Sequence, residues 1–504
     1  MSRPLAPFLA ALLLVFLGAS PVAAGAGYLD LMERVHKETL ANGIRLLVME
    51  RPISPTISFY IRHRAGAIDE DSGRTGAAHM LEHMMFKGTT TIGTIDYESE
   101  KALRHRIDEA RERLAHVVES EGAESNDARK LSTTISDLQK EKESLIITNE
   151  IDRIYRERGG VGLNATTGYE LTSYMISLPS NALEVWARVE SDRLLNPVFR
   201  EFLPERDVVL EERRQTVYSR PERQLMELFL GAVFHAHPYG RPILGWSADI
   251  KKFDLDYLSR FFRTYYRPSG MVIAVVGDVD TFEAVALVKR YFGDLDPSPP
   301  EDRLVRNITP EPDQRGERRA VLATDASPRL LVGFRKPQAP ALEDYIFDVI
   351  DVILSGGRSS RLYRSLVAEK GLAGSVFTSN GFPGQLHENL FIAGAEPMAG
   401  VPLADLEKAL YEELDHLKTE PVSMRELEKS KTKIRADFYR NLASNSGLAA
   451  LLSYTEAIMG DYTHLTAYLD QIDTVTAEDI MKTATDYLAA WNRTVALLEK
   501  EEMP

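Results

Sequence analysis

The stretch Thr75-Gly76-Ala77-Ala78-His79-Met80-Leu81-Glu82-His83-Met84-Met85-Phe86-Lys87-Gly88 decides how the rest of the chain is read. It predicts a helix, with Thr75 able to cap its start and Gly88 to end it. His79 and His83 stand four residues apart, so on a helix they lie one above the other on one face. Two imidazoles so placed suit a single zinc ion. Glu82 flanks the same face and is placed to take a proton from a water that the metal has acidified. The order of residues is the inverse of the commoner metallopeptidase helix. Histidine pairs also arise by chance on surfaces and in cores. Here the small and apolar neighbours imply a packed helix, in which two imidazoles need a reason.

A catalytic zinc needs a third protein ligand. The chain has 0 cysteines, so neither a disulfide framework nor a thiolate site is possible, and the third ligand must be His, Asp or Glu. Residues Pro204 to Arg214 predict a second helix. On it Glu205 and Glu212 are two turns apart and share a face, while Glu211 points elsewhere. Glu212 is assigned as ligand and Glu205 as a carboxylate that orients the site. Taken alone, this helix reads as a solvated acidic-basic face, and only the histidine motif changes that reading.

With 504 residues the chain is too long for one ordinary core and predicts at least two domains. An apolar fraction of 44% and a charged fraction of 27% read as soluble and globular. The net charge of −15 disfavours nucleic acid, whose phosphates need a basic face. Residues 1–26 read as a signal peptide. Arg3 supplies positive charge, Phe8 to Leu17 forms an apolar run, and Val22-Ala23-Ala24 or Ala24-Gly25-Ala26 offers a cleavage site. The alternative is a retained anchor, although the run is short for a bilayer. No later segment is long and apolar enough to span a membrane. The mature chain is therefore expected beyond the inner membrane, periplasmic or secreted.

The remainder reads as two copies of one α/β unit, at 27–290 and 320–504, joined by a proline-rich charged linker at 291–319. Each copy starts with a strand pair: Ile44 to Val48 with Thr56 to Ile61, then Ala320 to Leu322 with Arg329 to Phe334. Each ends with a helix and a strand: Asp256 to Tyr266 with Met271 to Val276, then Ala477 to Leu488 with Thr494 to Leu498. A shared beginning and end suggest duplication. Residues 97–158 break the pattern. Leu103, Ile107, Ala110, Leu114 and Val117 step at helical spacing, and Leu131, Ile135, Leu138 and Leu145 continue the seam. Glu121-Gly122 and Ser125-Asn126-Asp127 supply a break and a new cap. This predicts an inserted helical hairpin. Such an arm contacts a partner or guards an entrance in the functional reading; its charge favours a solvated decoration.

These residues resemble the pitrilysin/insulinase family of zinc peptidases, the inverzincins, and in size its half-size members, such as the mitochondrial processing peptidase and bacterial homologues. The resemblance covers nearly all of the mature chain. It rests on His79 to His83 and Glu205 through Glu212. Leu163 to Thr167 with Thr172 and Tyr174, His237 to Gly240, and Gly277-Asp278 support it. It implies an α+β fold of two homologous units, each a mostly antiparallel sheet covered by helices. It implies one Zn2+ per chain held by His79, His83 and Glu212, with Glu82 as general base and Glu205 in support. Asn164, Ala165 and Thr166, within Asn164 to Leu178, correspond to the family's sheet-edge strand, to which an extended peptide adds.

Two departures stand out. The gap from His83 to Glu212 is long, and the inserted hairpin accounts for it at little cost to the fold. The family's second unit, or a partner chain, also supplies an Arg and, seven residues later, a Tyr that grip the substrate and stabilise the oxyanion. Here Val367 and Gly374 stand at those positions, and Arg361, Tyr363 and Arg364 are close but misplaced. The expectation is an exported metalloendopeptidase bearing the zinc half of a composite site, with a homologous second subunit, or a second copy of itself, supplying Arg and Tyr. A binding or assembly subunit without turnover, and a zinc-storage or transport-associated protein, are the alternatives. His63 is read as structural, and His235 and His237 as shaping a loop near the pocket.

Overall fold

The structure, a computed structural model, describes residues 32–297, 306 and 308–501. The expected signal segment, residues 1–26, lies outside them, as do Pro299 and Pro300 of the linker.

The first unit runs β1 (His36–Thr39), β2 (Arg45–Glu50), β3 (Thr56–His63), α1 (Ala77–Met84), α2 (Tyr97–Glu121), α3 (Asn126–Glu143), α4 (Glu150–Glu157), β4 (Val161–Thr167), β5 (Thr172–Pro179), α5 (Leu183–Leu195), α6 (Phe202–Arg213), α7 (Pro221–Val233), α8 (Leu255–Tyr265), β6 (Met271–Gly277) and α9 (Thr281–Phe292). The second runs β7 (Arg318–Thr324), β8 (Arg329–Lys336), α10 (Leu342–Ser355), β9 (Ala373–Phe382), β10 (Asn389–Pro397), α11 (Leu403–Thr419), α12 (Met424–Asn441), α13 (Asn445–Met459), α14 (His464–Thr474), α15 (Ala477–Tyr487) and β11 (Arg493–Lys500).

The sheets have the orders β1-β2-β6-β3-β5-β4 and β7-β11-β8-β10-β9. Within each, one pair is parallel, β2 with β6 and β7 with β11, and the other pairs are antiparallel. Removing β1 makes the two sheets superimposable in order and direction. The expected pair of mostly antiparallel units is therefore what the chain builds.

All of β6 is buried, which explains its continuous apolar run: a strand covered on both faces has no polar side. One face of the first sheet packs under its own helices, where Phe59 stacks on Trp186 at 4.3 Å beside Met80, Leu81 and Phe292. The other face is covered by α13 of the second unit, through Leu448, Ala449 and Leu452 against Leu47, Val272, Ala274 and Val276. The exchange is reciprocal. Helix α7 of the first unit lays Leu225, Phe229, Leu230 and Val233 on Leu331, Ile392, Ala496 and Leu498 of the second sheet. Buried Glu456 on α13 adds a polar tie, 2.8 Å from Lys37 and 3.2 Å from Arg45. The described part of the connector is docked rather than free. Glu311 accepts from the amides of Ala236 and His237, and Pro312 accepts from Arg335.

The insertion forms an antiparallel pair, α2 with α3, packed through Leu103, Ile107, Ala110, Ile135 and Leu138. Ser125 caps α3 by accepting from the Ala128 amide, as its position predicts. The expected limit of 158 is too far. α3 ends at Glu143, and the separate helix α4 buries Ile151 and Tyr155 in the core of the first unit.

Candidate metal centre

Helix α1 begins one residue later and ends sooner than its sequence predicts. Thr75 is not its cap: the hydroxyl donates to Asp249 at 2.7 Å and accepts from the Trp246 amide at 2.9 Å. Gly76, at φ 93°, occupies the cap position. The helix's free amides go instead to buried Glu70, which accepts from Gly76 and Ala78 at 2.8 Å each. Burial pushes the Glu70 carboxyl up to about 8 against the pull of those two amides. The helix closes at Met84, before Gly88.

On α1 the rings of His79 and His83 lie 4.7 Å apart, edge to face. Helix α6 starts two residues before Pro204 and brings Glu205 and Glu212 onto the same spot, while Glu211 turns away to Arg214. Glu212 Oε2 lies 3.6 Å from His79 Nε2 and 3.3 Å from His83 Nε2. One donor atom from each of the three residues falls within 4.8 Å of the others. Zinc–ligand bonds of about 2.0–2.1 Å in a tetrahedron separate donors by about 3.3 Å, so these residues fit that ion in chemistry and spacing.

Glu205 Oε1 lies 2.8 Å from His83 Nδ1. A proton on Nδ1 shared with this carboxylate leaves the Nε2 lone pair facing Glu212 and the proposed ion. Burial lowers His83, but its hydrogen bonds to Glu205 and Glu212 outweigh this and lift it to about 9. Burial, with His83 adding to it, takes His79 down to about 4. Burial opposes ionisation of Glu205, yet hydrogen bonds from His83 and Lys87 hold it at about 2. The His83 contact keeps Glu212 below its ordinary value. The cluster thus carries its negative charge on α6, beside the imidazoles.

Glu82 lies next to the group, and its Oε2 accepts from Thr167 Oγ1 at 2.6 Å. Burial raises this carboxyl, with Thr167 pulling the other way. Thr167 ends β4, the outer strand of the sheet. Asn164, Ala165 and Thr166 on β4 pair with Met175, Tyr174 and Ser173 of β5. Asn164 to Leu178 is therefore a strand hairpin, and only its first arm lies at the edge, because β5 pairs on its other side with β3. The metal group and that edge adjoin.

Other expected residues fall elsewhere. His63 is fully buried, stacked 4.1 Å from the Tyr266 ring, and burial takes it to about 3, which suits a neutral structural ring. His237 accepts from the Tyr239 amide and faces His387 at 4.8 Å between the units. In the second unit Arg361 pairs with Glu426, Arg364 with Glu369, and Val367 packs against the core. Sequence reasoning missed the parts played by Glu70, Lys87 and Thr167. Lys87 follows His83 by one helical turn, a signal that was there to read. Glu70 and Thr167 lie on a loop and a strand end, where spacing names no partner.

Two family models match the chain: the insulinase family, peptidase family M16, over residues 48–126, and the peptidase M16 inactive domain over residues 252–434. The chain is similar to the zinc protease PqqE of Helicobacter pylori, 30% identical over 503 residues that span 97% of each chain. A solved protease from Helicobacter pylori superposes with a TM-score of 0.77 at 26% identity, covering 92% of this chain and 99% of that one. The first half of the periplasmic protease PqqL from Escherichia coli shares the fold, with a TM-score of 0.67 at 17% identity, covering 93% of this chain and 92% of that half.

Proposed function

The chain belongs to peptidase family M16, and from that footing we propose that it is an exported zinc metalloendopeptidase that cuts peptides or unfolded segments. The observation that carries this is the convergence of His79, His83 and Glu212 from two helices, with Glu82 beside them. When bound, zinc supplies a Lewis acid that polarises the scissile carbonyl and acidifies a water.

The chain's own residues do the rest. His79, His83 and Glu212 hold the ion, and Glu205 fixes the tautomer of His83. Thr167 orients Glu82. Glu82 takes a proton from the attacking water as its oxygen bonds to the carbonyl carbon. It returns that proton to the amine nitrogen as the C–N bond breaks. The outer side of β4 offers backbone pairing to an extended substrate around Asn164, Ala165 and Thr166, and such pairing tolerates many sequences.

Val367 and Gly374, in place of the family's Arg and Tyr, support a two-chain enzyme in which this chain bears the zinc and a homologous subunit, or a second copy, supplies both groups. The same two residues favour the second reading, a binding or assembly subunit that has lost turnover. Against it, the three ligand residues and Glu82 are all present together. Glu82→Gln separates the readings: a peptidase loses peptide cleavage by about 10³-fold or more and still binds one zinc. If the wild-type chain, alone or with its co-purifying homologue, cleaves no peptide, the silent-subunit reading replaces this one. The expected signal peptide places the enzyme in the periplasm or outside the cell, which N-terminal sequencing of the mature chain from an envelope fraction checks.

A further inference from the structure

The inserted hairpin is wired to the metal centre at its root. Glu100, on the first turn of α2, meets Arg200, which lies just before α6. Arg200 Nε is 3.0 and 2.9 Å from the two oxygens of Glu100, and the side chains are 1% and 4% exposed. The rest of the guanidinium gathers the loop that follows α1. Nη1 donates to the carbonyls of Lys87 and Ile92 at 3.2 Å each, and Nη2 to that of Thr89 at 2.6 Å.

The loop is shaped around this group. Gly88 sits at φ 94°, and a Cβ there would stand 2.3 Å from the Ile92 carbonyl oxygen and 3.0 Å from Arg200 Nη1. A side chain at that position would collide with the Ile92 carbonyl and press on the guanidinium. Lys87, whose carbonyl Arg200 holds, sends its Nζ to Glu205 at 2.6 Å and to Glu201 at 3.5 Å. Glu205 in turn holds His83. A path of contacts therefore runs from Glu100 through Arg200 to the Lys87 backbone, and from the Lys87 side chain through Glu205 to His83.

A solvated decoration needs no such anchor. A buried carboxylate and guanidinium each lose hydration on leaving water, and that cost is met here by the two contacts of the pair and by three more from Arg200 to carbonyls of one loop. The chain entering the hairpin is also stitched to the chain leaving it: Thr94 bridges Ile146, and the Gly93 amide donates to Glu150 on α4 at 2.6 Å.

We propose that Glu100 and Arg200 are positioning residues for the metal centre, so that the root of the inserted hairpin sets the carboxylate that orients His83, while its tip takes no part. The inference rests on the zinc reading above and assigns it a support from outside both metal helices.

The test is zinc affinity of the full chain, read by chelator competition, with peptide cleavage alongside. Glu100→Gln is expected to raise the zinc Kd about tenfold. Replacing residues 115–132 of the tip by a short Gly-Ser turn, which keeps the packed seam, is expected to leave the Kd unchanged. A double-mutant cycle then distinguishes positioning from general weakening of the fold: Glu100→Gln with Glu205→Gln should bind within about twofold of Glu205→Gln alone, because both cut one path. Additive losses, an unchanged Kd in Glu100→Gln, or an equal loss on tip replacement would each overturn the proposal. Should Glu100→Gln fail to fold, Lys87→Met leaves the buried pair intact and cuts the next link. It is expected to weaken zinc several-fold, and an unchanged Kd there is equally fatal. A wild-type chain that takes up no zinc removes the metallopeptidase reading and this one together, whereas a zinc-binding wild type with indifferent variants removes only the positioning role.

Discussion

In the first unit the helix that follows the second strand of the matched set, α1, carries His79, Glu82 and His83; in the second unit its counterpart, α10, carries Asp344, Asp348 and Asp351 on one face. Both helices sit by the outer strand of their sheets, and each packs against the second helix after the last strand pair, α6 in the first unit and α12 in the second. Both offer metal-type side chains. The difference lies in where those side chains lead. Asp344 pairs with Lys336, Asp348 accepts from Asn380 and Tyr468 at 2.9 Å each, and Asp351 accepts from Thr378. Where α6 presents Glu205 and Glu212 to α1, α12 presents Lys433 towards Asp351. Ligand-type residues in a homologous place do not make a site; donors must converge on one point, and among the described residues only the first unit arranges that.

The largest effect that would break this comparison is loss of chemistry from the wrong unit. His83→Ala is expected to abolish stoichiometric zinc and lower peptide cleavage by about 10³-fold or more, while Asp351→Asn leaves both within about twofold. Metal analysis and a peptide assay on both variants decide it, and a comparable loss from Asp351→Asn would show that the second unit is not chemically silent.

Next comes the mutual covering of the sheets. Phe229 on α7 is fully buried against the second sheet, although it belongs to the first unit. Phe229→Ala is expected to cost about 3–5 kcal/mol by cavity formation. Because α13 and α7 cross between units, the loss should lower a single calorimetric transition rather than one of two. Two independent melts, with only the second shifted, would mean that the units fold separately.

A smaller effect sharpens the account of the first unit. Glu205→Gln keeps the shape of the site and removes the charge that fixes His83, so zinc should bind about 10–100-fold more weakly, with the three ligands intact. An affinity equal to wild type would leave His83 held by packing alone.

The smallest effect lies in the second unit. Burial, with Asp344 adding to it, pushes the Asp348 carboxyl up to about 7. Its folded value exceeds its unfolded one, so its contribution to stability is complete below about pH 4 and is lost as pH rises through about 7. Between pH 5 and 8 the wild type should therefore lose roughly 2–4 °C of Tm more than Asp348→Asn. Parallel pH curves for the two proteins would show that the carboxyl is already ionised when folded.

Much of this was legible in the chain. The strand pairs at Ile44 to Ile61 and Ala320 to Phe334, and the helix-strand endings at Asp256 and Ala477, lie within a residue or two of the observed elements, because period and apolar content are local properties. The face shared by Glu205 and Glu212 was equally readable. The cap of α1 was not, since Thr75 had a closer partner in Asp249 and Glu70 reached in from a loop. Helix α4 cannot be told from the hairpin by sequence, because its two buried residues, Ile151 and Tyr155, give too short a stripe to separate core from arm.

Sequence alone determined the histidine helix, the carboxylate face that complements it, the duplication and the insertion, because each follows from spacing along a regular backbone whose geometry is fixed residue by residue. Only the tertiary structure decided that α7 and α13 change sides, that Arg200 seats the root of the hairpin, and that Thr167 meets Glu82. An apolar stripe records that a face is buried but not against what, and a charge records no partner. Those choices are made when distant segments compete for the same volume, and no local pattern carries that information.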